Sequence, residues 1–218
     1  RSSDLAISGE FPTSQLNRLP ASPYYLEAVV TALKKAGLLR TYYRDRLRGY
    51  RLGIKAKSAL LDGWPERFTF CLTGDAETNR LKSEANRRFR LHRLAETYIT
   101  IGNAGVLLYP DEKPKVFAQT GFGGEAVTYP VFYSSREVKE LGADATQIRS
   151  SRFAGVLLAP TGIFVTYNSG GALMKWRYKS ELRVKTLLWN ILCQQRLAQQ
   201  YRVEQVHGLV LGDRKSVV

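Results

Sequence analysis

Residues 22–55, SPYYLEAVVTALKKAGLLRTYYRDRLRGYRLGIK, decide how the front of this chain folds. Ser22 is a favoured N-cap, and Pro23 fits the first helical position because its missing N–H has no helical partner to lose. Leu26, Val29, Val30 and Leu33 then recur at helical spacing until Gly37 stops the run, which predicts a helix over Pro23 to Ala36. Leu38–Tyr43 and Gly49–Ile54 read as two short strands, with Arg44–Arg48 as a basic hairpin tip and a new helix over Lys55–Leu61. Upstream, Phe11–Leu19 suits a short helix that Pro20-Ala21-Ser22-Pro23 breaks. Two helices, a tight turn and a β-hairpin make the winged helix-turn-helix plan, in which the second helix fits a major groove and the hairpin reaches phosphates or the minor groove.

The charge sits where that plan needs it. The chain has 218 residues, with 33 Lys plus Arg against 19 Asp plus Glu, a formal charge of +14. Residues 40–57 carry Arg40, Arg44, Arg46, Arg48, Arg51, Lys55 and Lys57 against Asp45 alone. A patch this basic repels itself and favours a polyanion. On the helix, the face opposite Leu26, Val30 and Leu33 presents Tyr24, Tyr25, Ala28, Thr31 and Lys35, with Lys34 beside it. These residues and the cations of the hairpin are the candidate DNA-binding set, with double-stranded DNA as the expected partner. The competing reading is a module that binds protein only, with the hairpin as an ordinary solvated turn.

Composition excludes other classes. Hydrophobic residues at 44% are enough for a packed core, and no apolar run of 18 residues offers a membrane span. Cys71 and Cys193 form no CxxC pair, and His92 and His207 are too far apart for a histidine metal motif, so no metal or other cofactor is expected. His92 reads as a helix-surface or packing residue and His207 as structural. Without a leader or span in view, the expected location is cytoplasmic.

Gly63, Trp64-Pro65, Gly74 and Asp75 interrupt any period over residues 62–79, which reads as a connector holding at most a short strand at Phe68–Leu72. The expected domains are therefore a winged helix over 1–61, the connector 62–79, and an α/β domain over 80–218. In the second part, Arg80–Ile101 reads as a basic helix and Val106–Tyr109 as a strand. Pro110–Tyr129 reads as a loop region, and Ser134 with Glu137 as a capping box on a short helix. Phe153–Leu158 and Ile163–Tyr167 form a hairpin around Pro160, Lys175–Gln199 a long amphipathic helix, and Val206–Leu211 a last strand. Within that helix, Trp176, Tyr178 and Trp189 with neighbouring Lys and Arg read as core plus a solvated or phosphate-facing edge. The helix is also a candidate surface for a homodimer or a partner protein. The whole is an α+β chain.

The order αβββαβ is that of the PD-(D/E)xK nuclease core, so a metal-dependent active site is the alternative to examine. A literal match exists at Asp111, Glu137 and Lys139. Its context is wrong, because Glu137 and Lys139 fall in a helix, where residues two apart diverge by about 200° instead of sharing a strand face. The expected hairpin contains no acid, so the second domain reads as nuclease-like without metal chemistry. Gly121-Phe122-Gly123-Gly124 lacks the following GKS or GKT of a phosphate cradle and reads as a loop.

Leu33-Lys34-Lys35-Ala36-Gly37-Leu38-Leu39 running into Tyr50-Arg51-Leu52-Gly53-Ile54-Lys55 resembles the helix and wing of winged-helix regulators. Coupled to Arg90-Leu91-His92-Arg93-Leu94-Ala95 and a following α/β domain, the chain resembles the replication-relaxation family of plasmids and conjugative elements. That resemblance implies a winged-helix domain followed by a nuclease-like one, DNA binding through Lys34, Lys35, Arg44, Arg46 and Arg48, and a role on a mobile genetic element.

Overall fold

The computed structural model describes residues 2–74, 84–114, 116, 126–138, 153–170, 182, 186 and 195–212. They form an α+β protein of two compact units. The first comprises residues 1–104 with 109–111, the second residues 105–108 with 112–218. The division falls near Ala104, not in the stretch 62–79, because the helix expected to open the second domain packs with the first unit.

In the first unit, helix α1 (Ser2–Ser8) leads to strand β1 (Phe11–Pro12), a 3₁₀ segment (Thr13–Arg18) and helix α2 (Pro23–Lys35). Strands β2 (Leu39–Arg44) and β3 (Leu47–Leu52) follow, then α3 (Ile54–Gly63), α4 (Pro65–Leu72) and α5 (Ala85–Asn103). Both ends of α2 behave as the sequence predicts. Ser22 Oγ accepts from the Tyr25 amide at 3.3 Å. At the other end Leu38 N donates to Leu33 O at 2.9 Å and Gly37 N to Lys34 O at 3.0 Å, a closure that needs Gly37 at φ 70°. The segment after Phe11 is 3₁₀ rather than α-helical, and the hairpin tip is tighter than expected. Arg44 pairs with Leu47 across a two-residue turn in which Asp45 and Arg46 both have positive φ, 53° and 61°. Such a turn matches the right-handed twist of the strands it joins.

The sheet runs β1-β3-β2, all antiparallel. Its two faces do different work. Leu39, Tyr50 and Leu52 share one face with Phe11 and pack with Val30 and Leu33 of α2 and with Ala95 and Ile99 of α5. Tyr42, Gly49 and Arg51 lie on the other.

Residues 65–72 correct the connector reading. Pro65 opens a helix, and Phe68, Cys71 and Leu72 are buried at i, i+3 and i+4 spacing. The glycines and Trp64-Pro65 that argued for a loop are the punctuation on either side of it.

In the second unit, β4 (Val131–Ser134), β5 (Phe153–Ala159) and β6 (Gly162–Gly170) form an antiparallel meander, and β7 (Val206–Gly212) joins the edge parallel to β6. Short helices α6 (Ser135–Val138) and α7 (Gln195–Gln200) accompany them. Val131, Tyr133, Val156, Leu158 and Ile163 build its core with Val138, Leu197 and Tyr201. The hairpin and the final strand stand where the sequence places them. Residues 106–109, expected as a strand, contribute only an isolated parallel bridge from Leu107 to Val131, and the strand at 131–134 went unrecognised. The glycine loop at 121–124, Lys139 and most of the helix expected over 175–199, including Trp176, Tyr178 and Trp189, lie outside the described residues. Among the described residues no helix is long and apolar enough to cross a membrane.

Candidate nucleic-acid interface

Helix α2, the β2–β3 hairpin and the start of α3 present the sequence-predicted set to solvent, except for Arg51 and Lys57. Tyr24 is 85% exposed and Tyr25 61%, and Thr31, Lys34 and Lys35 are exposed further along the helix. Lys34 also lies over the Tyr50 ring, 5.0 Å from its centroid, which ties the end of the helix to β3. On the hairpin, Arg40, Arg44, Arg46 and Arg48 are exposed, as is Tyr43 at 68%. Tyr43 pairs with Arg48 across the strands, so an aromatic ring and a guanidinium sit side by side near the tip. Asp45 offsets part of the charge, 3.6 Å from Arg44. Lys55 is exposed at the start of α3, and Lys57 is half-buried two residues on.

Arg51 does not belong to this surface. It shares a sheet face with its cross-strand partner Arg40 and with Arg44, but there its guanidinium is buried, with Nε and Nη2 binding the carboxylate of Glu10 at 2.8 and 2.7 Å. Strand alternation puts Arg48 and Arg51 on opposite faces of the sheet, and the buried arginine needs a counter-ion.

Glu10 serves more than one cation. Arg88, on α5 and wholly buried, donates to it from Nη2 at 2.6 Å and from Nε at 3.0 Å, and His92 Nε2 lies 2.8 Å away. The remaining donors of Arg88 reach the hairpin backbone: Nη1 to Arg44 O at 2.7 Å, and Nη2 to Leu47 O at 3.0 Å and Tyr42 O at 3.3 Å. Both guanidiniums lie over the Tyr42 ring, Arg51 at 4.3 Å and Arg88 at 4.6 Å. Arg44 and Leu47 flank the turn, so α5 holds the base of the hairpin tip through one side chain. Gly49 makes room for this: a Cβ there would stand 2.7 Å from Glu10 Cγ. Sequence reasoning missed this cluster. Its members lie 41, 78 and 82 positions from Glu10, and no local pattern links them.

Burial would raise the Glu10 pKa, but the hydrogen bonds from His92, Arg88 and Arg51 outweigh it and lower the value from 4.5 to about 2. A depressed carboxylate stabilises the fold fully above its unfolded pKa and loses that contribution as pH falls toward its folded one. Resistance to urea is therefore expected to decline between pH 4.5 and 2. The wild-type midpoint should fall more steeply there than that of Glu10→Gln; parallel slopes would refute the assignment.

The alternative catalytic set is placed differently. Asp111, in the first unit, is gripped by Arg67, with Nε 2.9 Å from both carboxylate oxygens and Nη2 2.7 Å from Oδ2. Glu137, in the second unit, closes the predicted capping box on Ser134, accepting from its amide at 2.7 Å and its hydroxyl at 2.8 Å. Its other oxygen receives Lys113, whose ammonium also donates to Phe132 O at 2.8 Å. Each carboxylate thus has a structural occupation in its own unit. Among the described residues no group of three or more His, Cys, Asp or Glu side chains could hold a metal ion.

Comparison with protein-family models, with curated proteins and with solved structures finds no match to this chain.

Proposed function

We propose that the chain is a double-stranded DNA-binding protein whose first unit is a winged helix-turn-helix. In this reading α2 lies in the major groove, and the β2–β3 hairpin is the wing. The element order α1-β1-3₁₀-α2-β2-β3 and the sheet order β1-β3-β2 support it, since they are those of the winged plan. The observation that carries it is the sorting of charge around the hairpin. Arg51 and Arg88 are buried and share the carboxylate of Glu10, while Arg40, Arg44, Arg46 and Arg48 face solvent with only Asp45 beside them. Phosphates relieve that repulsion. The resemblance to the replication-relaxation family sets the role in replication, transfer or transcriptional control of a mobile element, without metal chemistry in the second unit.

Incubation with supercoiled plasmid and Mg²⁺ is expected to retard the DNA on a gel without nicking it. Nicking abolished by Asp111→Ala would replace this reading with a nuclease. Failure to retard any duplex at low salt would remove DNA binding altogether.

A further inference from the structure

Helix α2, PYYLEAVVTALKK, contains no Arg, Asn or Gln. Arg or Lys makes the paired hydrogen bonds to guanine and Asn or Gln those to adenine in the major groove, so of these readers the helix holds only Lys34 and Lys35, in its last turn. With Leu26 buried and Val30 and Leu33 against the core, a step of about 100° per residue puts Tyr24, Ala28, Thr31 and Lys35 on the outward stripe. Glu27 borders that stripe. All five are exposed.

Beyond helix propensity, the electrostatic reasons for a helical glutamate do not apply to Glu27. Macrodipole stabilisation is confined to the first turn, and Glu27 is the fifth residue of the helix. The positions three and four away hold Pro23, Tyr24, Val30 and Thr31, so no cation pairs with it along the helix. Among the described residues it makes no hydrogen bond or ion pair. A carboxylate on a face that meets phosphates lowers affinity for every duplex. Two interactions in the groove offset that cost, acceptance of a hydrogen bond from the exocyclic amine of cytosine or of adenine, and at adenine the N7 acceptor beside the amine repels the second carboxylate oxygen.

Resting on the DNA-binding reading, we infer that Glu27 is a specificity-determining residue that reads cytosine in the major groove. Ala28 and the Thr31 methyl beside it suit thymine methyl groups. Guanine O6 and N7 and thymine O4 are acceptors and repel the carboxylate, so Glu27 discriminates by exclusion as well as by contact.

Selection from a pool of randomised duplexes, with the full chain and its Glu27→Ala and Glu27→Gln variants, tests this. The wild type is expected to enrich sites with an invariant cytosine. Changing that C·G pair should weaken wild-type binding roughly tenfold and Glu27→Ala binding less than about twofold. Glu27→Ala should also bind the unselected pool more tightly, and Glu27→Gln should shift the column toward adenine. Because Glu27 is exposed, circular dichroism of the variants should match the wild type. A wild-type selection with no cytosine column, or a column unchanged in Glu27→Ala, overturns the inference while leaving DNA binding intact. No retention of the starting pool by the wild type overturns the DNA-binding reading itself.

Discussion

Arg88→Ala is expected to be the most destabilising single substitution in the first unit, at about 3–5 kcal/mol, the range for removing one partner of a buried ion pair. The guanidinium is wholly buried and serves the Glu10 carboxylate and the carbonyls of Tyr42, Arg44 and Leu47. Alanine leaves a cavity, a carboxylate with fewer cations, and three carbonyls each short of one donor. Lysine keeps the charge, but one ammonium cannot reproduce a planar fork spread over a carboxylate and the backbone on both sides of a turn. Against a domain stability of about 5–15 kcal/mol the loss is large. Urea denaturation of Arg88→Ala, Glu10→Gln and the double variant measures it. The double should cost less than the sum of the singles, with a coupling of at least about 1 kcal/mol. A shift below about 0.5 kcal/mol for Arg88→Ala would mean that the cluster is not holding the hairpin.

The second large effect concerns binding. Arg46 and Arg48 stand at and beside the hairpin tip, exposed, with neither paired to a carboxylate among the described residues. Joint replacement by alanine is expected to weaken duplex binding by about 1 kcal/mol or more for each lost phosphate contact and to flatten the salt dependence by roughly two counterions. Because both side chains are solvated, urea stability should change by no more than about 0.5 kcal/mol. Affinity measured across a salt series separates the two quantities. An unaltered slope would exclude the wing from the interface.

These two predictions divide one class of residue in a way the sequence shows only in part. Helix α2 was legible because its signals are local: a Ser-Pro start, apolar residues at helical spacing, and a glycine where positive φ is required. The hairpin was legible in outline, but Asp45-Arg46 lacks the Asn-Gly signature of a two-residue turn, so the tip was drawn too long. Arg51 was legible as a cation and not as a buried one, since its inward phase has meaning only once Glu10 is known to sit beneath it. Helix α4 hid behind Gly63 and Pro65, residues that end one helix and begin the next. Strand β4 is four residues between Pro130 and a capping box, too short to show a period. For the candidate site, the exposed cations and the helix face came from the sequence, whereas what holds them came from contacts spanning most of the unit.

Tying the hairpin to α5 also sets an order of events at the ribosome. The hairpin strands end at Leu52, yet the side chain that locks their turn belongs to a helix that starts at Ala85. At roughly 5–20 residues per second, seconds pass between the appearance of the hairpin and that of its clamp. During that interval Glu10 has no Arg88 to receive it and Tyr42, Gly49 and Arg51 present an uncovered face. The hairpin thus reaches its final form late in the unit's synthesis, and a chain cut after it would carry the exposed cations without the means to hold them in place.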